Sequence, residues 1–413
     1  MGTAGLPLRA RAGRPVSRPA DVEVAVVGGG PAGAALAIRL AGAGREVALF
    51  ERLPRPRWRA SGVYSSPLTR RRLAALGLSA AQLDRLVRPI SAMVIETAGG
   101  GAACRLDYPA PLHACGIDRV RLEEALLARA RDAGARVHEA AVVRQVRLSA
   151  DGAGLLVSTP AGPAWWRSRL VVGADGPGSI VARAAGVGLP VGQLRRAALT
   201  GHRRDLLPPA ESVPAEARML IGSGWYLGIA PVPGGRVNLG LVLGEAELRR
   251  ELGEGASLER VIERRLSEPL RSAIATDELQ VHLPLLNRVR RTAGASFLLV
   301  GDAAGFVDPI SGEGLHRALV SAELGARAIE AWSAGRSRAL SDYDRTLRAR
   351  FRSKDALSWM LQLFLFEPRL AGWALDRLSR RPRERQLFAR GLADLAPASR
   401  LLDPRYLARV LAP

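Results

Sequence analysis

Lysine is almost missing from this 413-residue chain, with Lys354 the only one. The formal net charge of +21 therefore rests on arginine, scattered among alanine, glycine and leucine. A charge of that size suits nucleic acid, an anionic membrane or a phosphorylated substrate. No basic run interleaved with aromatics and no zinc-finger spacing accompanies it, so a nucleic-acid partner is not expected. An arginine excess attracts anionic lipid, which makes peripheral membrane association an expectation. Cysteine is scarce too. Cys104 and Cys115 define neither a disulfide framework nor a metal site, and a reducing cytoplasm is the setting this predicts. Long apolar runs are also lacking. The most apolar late stretch, LSWMLQLFLF at 357–366, is half the roughly 20 residues a membrane span needs, and it reads as a buried helix. The first 20 residues lack the apolar core of a secretory signal and read as a disordered tail.

What is present is ordinary globular content. Apolar residues make up 48% and charged residues 24%, enough to bury a core and too apolar for disorder. The length predicts two or three domains of about 100–200 residues each.

The clearest local pattern is DVEVAVVGGGPAGAALAIRLAGAGREVALFER. A strand at Val22–Val27 leads through Gly28-Gly29-Gly30 into a helix from Pro31, and a second strand runs from Glu46 to Glu51. Gly28 permits the tight turn, Gly30 lets the backbone approach a pyrophosphate, and Gly33 lets the helix pack on the strand. The helix N-terminus then faces the phosphates. Glu51, at the end of the second strand, is placed to accept both hydroxyls of a ribose. Gly253-x-Gly255 and Gly312-x-Gly314 lack such flanks. The pattern predicts an adenine dinucleotide and does not separate NAD from FAD.

Two further motifs follow. RLVVGADGPGSIVARAAG is an apolar strand, a turn at Gly173-Ala174-Asp175-Gly176 and a short helix. FLLVGDAAGFVDPISGEGLHRALV joins an apolar run to Gly301-Asp302, the Asp308-Pro309 turn and a helix opening at Gly312-Glu313-Gly314. Taken in this order, the three motifs resemble the flavoprotein superfamily of p-hydroxybenzoate hydroxylase, flavin-dependent halogenases and geranylgeranyl reductases. The third motif is most similar to the geranylgeranyl reductase branch. Supporting similarity covers most of residues 22–345.

The resemblance implies an α/β fold. A discontinuous Rossmann-like FAD-binding domain would be assembled from 21–75, 117–190 and 291–345. An antiparallel-sheet substrate domain would come from 76–116 and 191–290, and a helical C-terminal region from 346–413. It implies that Asp302 contacts the ribityl chain, that Asp175 lies near the pyrophosphate and that Arg119 stands on a cofactor-side helix. Ala32, Arg52, Ser61, Val143, Gly176, Gly301 and Pro309 join the cofactor contacts. Gly312, Gly314 and Leu315 would begin a helix pointing free N–H groups at the pyrimidine edge of the flavin. Glu313 there reads as a first-turn cap.

The resemblance implies, first, a monooxygenase that draws electrons from transiently bound NAD(P)H and acts through a C4a-hydroperoxyflavin on an apolar or aromatic small molecule. The alternative is a geranylgeranyl reductase-like enzyme that saturates prenyl or other C=C bonds by hydride from flavin N5. A third class is a binder of prenylated protein without flavin chemistry; the three complete motifs argue against it. No obligate protein partner is evident. Reductases often carry Cys-Gly-Gly near the flavin where this chain has Ser61-Gly62-Val63, and Val232 stands where they carry a lysine after the proline. No lysine precedes Lys354, so halogenation is not expected. No catalytic residue declares itself. His316, after the flavin-facing loop, and Trp225 and Tyr226, in the substrate domain, are the weak candidates, while the Pro233-Gly234-Gly235 hairpin there predicts paired strands.

Overall fold

The computed structural model of the chain describes residues 20–190, 192, 195–204, 215–268 and 270–411; of the tail expected at 1–20, residues 1–19 lie outside the described residues and Ala20 opens the first strand. Ala20–Val27 forms the first strand, Pro31–Gly42 the helix and Val47–Phe50 the second strand, two residues shorter than expected. All four residues of Val47–Phe50 are buried, as in a parallel strand covered on both faces. Its sheet runs in the order Arg136–His138, Val47–Phe50, Ala20–Val27, Gly162–Gly173, Gly152–Thr159 and Val142–Ser149, with Phe297–Leu299 alongside Gly162–Gly173. Pairs around Ala20–Val27 are parallel, and the last three strands form an antiparallel meander. On one face Val24, Val26 and Leu49 pack against Leu36, Leu40, Leu122, Leu126 and Leu319 of three helices. On the other, Phe50 packs with Leu155, Val171 and Leu299. Trp166 meets Phe50 and His138 edge-on, so the Trp165-Trp166 pair serves strand packing.

The second sheet has nine strands, ordered Gln280–His282, Arg196–Arg204, Arg236–Gly244, Trp225–Val232, Ala215–Gly222, Val87–Thr97, Ala114–Ile117 and Tyr64–Ser65, with Ala103–Asp107 beside Val87–Thr97. Gly234 and Gly235 turn the central hairpin at φ +82° and +62°. The pleat sends alternate residues to opposite faces. Leu227, Ile229, Leu239 and Leu241 face Leu248, Val261 and Ile262 of two short helices. Tyr226, Val242, Met219, Ile221 and Ile90 join the other face, shared with the C-terminal helices Ala339–Leu365, Pro368–Ser379, Pro382–Leu392 and Pro404–Leu411. Three of these helices open on the proline that suits a first helical position.

The layers change at other places than the sequence suggests. Helices Leu68–Ala74 and Ala80–Leu86 place Leu73, Leu76, Leu83 and Leu86 in the core of the first sheet, so the second layer begins at Val87 and not at 76. Tyr64–Ser65 crosses to the second sheet by pairing with Cys115 and Gly116. The LSWMLQLFLF stretch is amphipathic within its helix and not buried throughout, since Leu363 is 68% exposed.

Candidate functional site

The three motifs meet at one edge of the first sheet. Gly28 has φ +105°, and a Cβ on it would stand 2.5 Å from the Ala174 carbonyl oxygen. A Cβ on Gly33 would stand 2.0 Å from the Gly28 oxygen. Packing alone therefore requires both glycines. Gly30 differs, with an ordinary extended backbone at φ −65° and no atom within 4 Å of where a Cβ would lie. Nothing in the chain demands glycine there, and the space leaves room for a ligand at the start of helix Pro31–Gly42.

Polar groups around this opening await partners. Glu51 is buried; its Oε2 accepts the Gly29 N–H at 2.7 Å and its Oε1 accepts the Leu53 N–H at 3.0 Å. Each oxygen keeps lone-pair capacity for a ribose hydroxyl. Asp175 Oδ2 accepts the Ile180 N–H at 2.7 Å, while Oδ1 is buried without a partner. Burial raises that carboxyl above its ordinary value, and the Ser179 and Ile180 hydrogen bonds oppose the shift. An unsatisfied acceptor at this depth suits a hydroxyl donor from outside the chain. Gly176, beside it, turns at φ +77°. Arg119 opens helix Arg119–Asp132, donating to the Gly62 carbonyl at 3.0 Å and to Glu123 at 3.2 Å, and its Nε is buried without a partner. Arg59 also donates to Glu123 at 2.8 Å, which ties the segment carrying Ser61 to that helix. Ser61 donates to the Arg59 carbonyl at 3.1 Å, Arg52 is exposed, and Val143 is half-buried on Val142–Ser149.

Asp302 lies on the turn Gly301–Ala304. Burial pushes its carboxyl up to about 6, with Arg317 and Arg119 pulling the other way. Gly301, at φ +60°, abuts Ala32, because a Cβ would meet the Ala32 methyl at 2.8 Å. These features fit the FAD that the resemblance implies, with Gly30 and Asp175 expected at the pyrophosphate, Glu51 at the ribose and Asp302 at the ribityl chain.

Asp308 is the hinge of the third motif. Its Oδ1 accepts the Ile310 N–H at 3.0 Å and the Tyr226 hydroxyl at 2.5 Å, and Oδ2 accepts from Arg196 at 3.2 Å. Arg196 in turn stacks 3.8 Å over the Phe366 ring. After Pro309, Gly312 turns at φ +63° against Tyr64, whose Cδ1 would lie 2.3 Å from a Cβ. Helix Gly314–Ser333 then begins, with Leu315 buried. Glu313 occupies the cap position but makes no cap bond; its carboxylate turns to Lys354, correcting the expectation of a first-turn cap.

The catalytic candidates fall apart. Trp225 packs at the edge of the Leu227–Leu241 face, with Arg265 over its ring at 5.7 Å, because the pleat sends it away from the flavin loop. Tyr226 points correctly but its buried hydroxyl is committed to Asp308. His316 is fully buried and turned toward Asp394.

Sequence reasoning misses a slot on the second sheet. Tyr226 reaches Asp308, and Ala230 and Val232 cluster with Val63 and Trp58. Gly228 lies between them on the same face of the strand. Gly228 pairs directly with Gly240, and Gly240 with Thr200, whose buried hydroxyl has no partner. A Cβ on Gly228 would meet nothing nearer than 3.9 Å. The only sequence signal is a glycine in each arm of one hairpin.

Comparison with known proteins agrees with this geometry. The family model described as "FAD binding domain" matches residues 21–352. A menaquinone reductase of Mycolicibacterium smegmatis is 28% identical, over 74% of this chain and 76% of that one. A digeranylgeranylglycerophospholipid reductase of Methanothermobacter thermautotrophicus is 30% identical, over 78% and 82% respectively. The solved structure of a geranylgeranyl bacteriochlorophyll reductase-like protein from Thermoplasma acidophilum superposes with a TM-score of 0.77 at 21% identity, covering 94% of this chain and 100% of that one.

Proposed function

We propose that this chain, which belongs to the FAD binding domain family and is an FAD-dependent oxidoreductase, saturates carbon–carbon double bonds in a prenyl-type lipid. The slot at Gly228 and Gly240 carries this reading. Two glycines face each other there on adjacent strands, a Cβ on either would meet nothing nearer than 3.9 Å, and the buried Thr200 hydroxyl beside Gly240 has no partner. The relatives named for reduction of menaquinone and of a digeranylgeranyl lipid span the same stretch of chain and favour the same substrate class.

Bound FAD would supply the hydride, replenished by NAD(P)H. The chain's own residues do the positioning. Gly28, Gly30 and Gly33 shape the phosphate cradle, and Asp308 locks the loop that carries helix Gly314–Ser333 to Tyr226 and Arg196 of the sheet. Preorganised positioning of this kind is the main protein contribution in cofactor chemistry. A lipid substrate also accounts for the apolar side chains left exposed on the C-terminal helices, Trp359, Leu363, Leu370 and Trp373, which suit contact with a membrane surface. No helix among the described residues is long and apolar enough to cross a membrane.

Oxygenation of an apolar or aromatic molecule is the second reading, favoured by Ser61 in place of the reductase cysteine. Incubating the holoprotein with NAD(P)H, air and either geranylgeraniol or a menaquinone, followed by mass spectrometry, separates the two. A gain of two hydrogens per double bond is expected. A gain of one oxygen atom overturns double-bond reduction and establishes oxygenation.

A further inference from the structure

We propose that Glu313, held by Lys354 and Asp394, takes up a proton from solvent when electrons enter the cofactor, so that the C-terminal helices couple reduction to protonation. The inference rests on FAD binding and is independent of the substrate.

The chain's one lysine is buried where three segments meet. Lys354, on helix Ala339–Leu365, donates to the carbonyls of Gly391 and Leu392 at 2.9 Å each. Its ammonium also contacts Glu313 Oε1 and lies 3.4 Å from Asp394 Oδ1. A compact ammonium with three donors fits two carbonyls and a carboxylate, where the planar fork of arginine would not. In a chain that otherwise uses arginine throughout, this position is chemically specific.

The cluster is incompletely satisfied. Asp394 Oδ2 and both ring nitrogens of His316 are buried without a hydrogen-bond partner, and His316 Nε2 stands 3.7 Å from Asp394. Asp394 holds a left-handed backbone at φ +62°, uncommon for a residue with a side chain. Ion pairs this deep add little stability compared with apolar packing, so retention of two carboxylates and one ammonium calls for a reason other than folding.

Position supplies it. Glu313 immediately precedes helix Gly314–Ser333, whose start favours negative charge ahead of it and which the family resemblance sets beside the flavin. The groups around Glu313 are His316 and Arg317 on its own helix, Lys354, Arg350 and Asp355 on Ala339–Leu365, Asp394 after Pro382–Leu392, and Arg72 from Leu68–Ala74. Burial keeps His316 neutral down to about 4. Burial, with Asp394 adding to it and Lys354 opposing, pushes Glu313 up to about 7. The Glu313, Asp394 and Lys354 trio thus carries one net negative charge when Glu313 is ionised and none when it is protonated. FAD bound there would gain one negative charge on reduction by a hydride, which carries two electrons and one proton. That charge raises the proton affinity of Glu313, and one solvent proton converts its carboxylate to the acid.

The test is the flavin midpoint potential of the holoprotein, measured by spectroelectrochemistry from pH 5.5 to 9. Above about pH 7 one extra proton per two electrons steepens the fall by about 30 mV per pH unit, the equivalent of a tenfold change in a two-electron equilibrium. Glu313→Gln should abolish this break. Asp394→Asn, which suits a left-handed position, should move it to lower pH and serves as the test if the Glu313 variant fails to fold. Breaks unchanged in both variants would overturn the proposal whatever the substrate proves to be.

Discussion

Gly33 and Gly240 differ in what surrounds them: protein fills the space where a side chain on the first would go, and a Cβ on the second would make only ordinary contacts. Around Gly33 a Cβ would strike the Gly28 carbonyl at 2.0 Å, and around Gly240 it would meet nothing nearer than 3.9 Å. The cradle glycines are demanded by contacts between a strand, a turn and a helix close in sequence. The slot glycines are demanded, in our reading, by what must lie against the sheet. Gly30 differs from both, since it belongs to the cradle motif yet a Cβ on it would meet nothing within 4 Å.

Replacing each glycine with valine should rank these roles. Gly33→Val, the largest effect, forces helix Pro31–Gly42 off its strand, at a cost on the order of 3 kcal/mol or more. A large fall in Tm together with a colourless protein is expected. Gly30→Val should leave the apoprotein's Tm within a degree or two, because a neutral surface change costs under about 0.5 kcal/mol, while flavin binding is lost. A yellow, flavin-loaded Gly30→Val protein would misplace the pyrophosphate. Gly240→Val is a smaller perturbation again: flavin should stay bound, and titration of the holoprotein with geranylgeraniol, followed by flavin absorbance, should show binding weakened at least about tenfold, the equivalent of 1.4 kcal/mol. Unchanged affinity would remove the slot from the substrate path.

How much of this is legible without coordinates follows the same division. The cradle is readable because each requirement falls on a short segment: Gly28, Gly33 and Glu51 lie within one strand–helix–strand unit. Helix Gly314–Ser333 is readable from the glycine-marked turn ahead of it. The pairing of Ala215–Gly222 with Val87–Thr97 and the meeting of Glu313, Lys354 and Asp394 depend on segments far apart in the chain. Local pattern carries no register for such pairings. Trp225 and Tyr226 show the limit well. They are adjacent and both aromatic, and only the pleat decides that one reaches Asp308 while the other faces Arg265.

The smallest of the expected effects concerns Asp302, whose carboxyl stands at about 6 in the folded chain against an ordinary value near 3.8. A carboxyl raised by folding binds its proton more tightly in the native state. Its stabilising contribution is therefore complete below about pH 4 and is lost as pH rises through about 6. Glu313, raised to about 7, acts in the same direction over a slightly higher range. His316, lowered to about 4, acts oppositely and weakens the fold as pH falls below its ordinary value of 6.5. Asp302→Asn removes the first of these contributions alone. In apoprotein melts between pH 4 and 6.5, the decline in Tm with rising pH should be shallower in the variant than in the parent, by a few degrees at most. Equal slopes would mean that Asp302 is better hydrated than its position on the turn Gly301–Ala304 implies, and that the ribityl side of the cradle is open to water before any ligand enters.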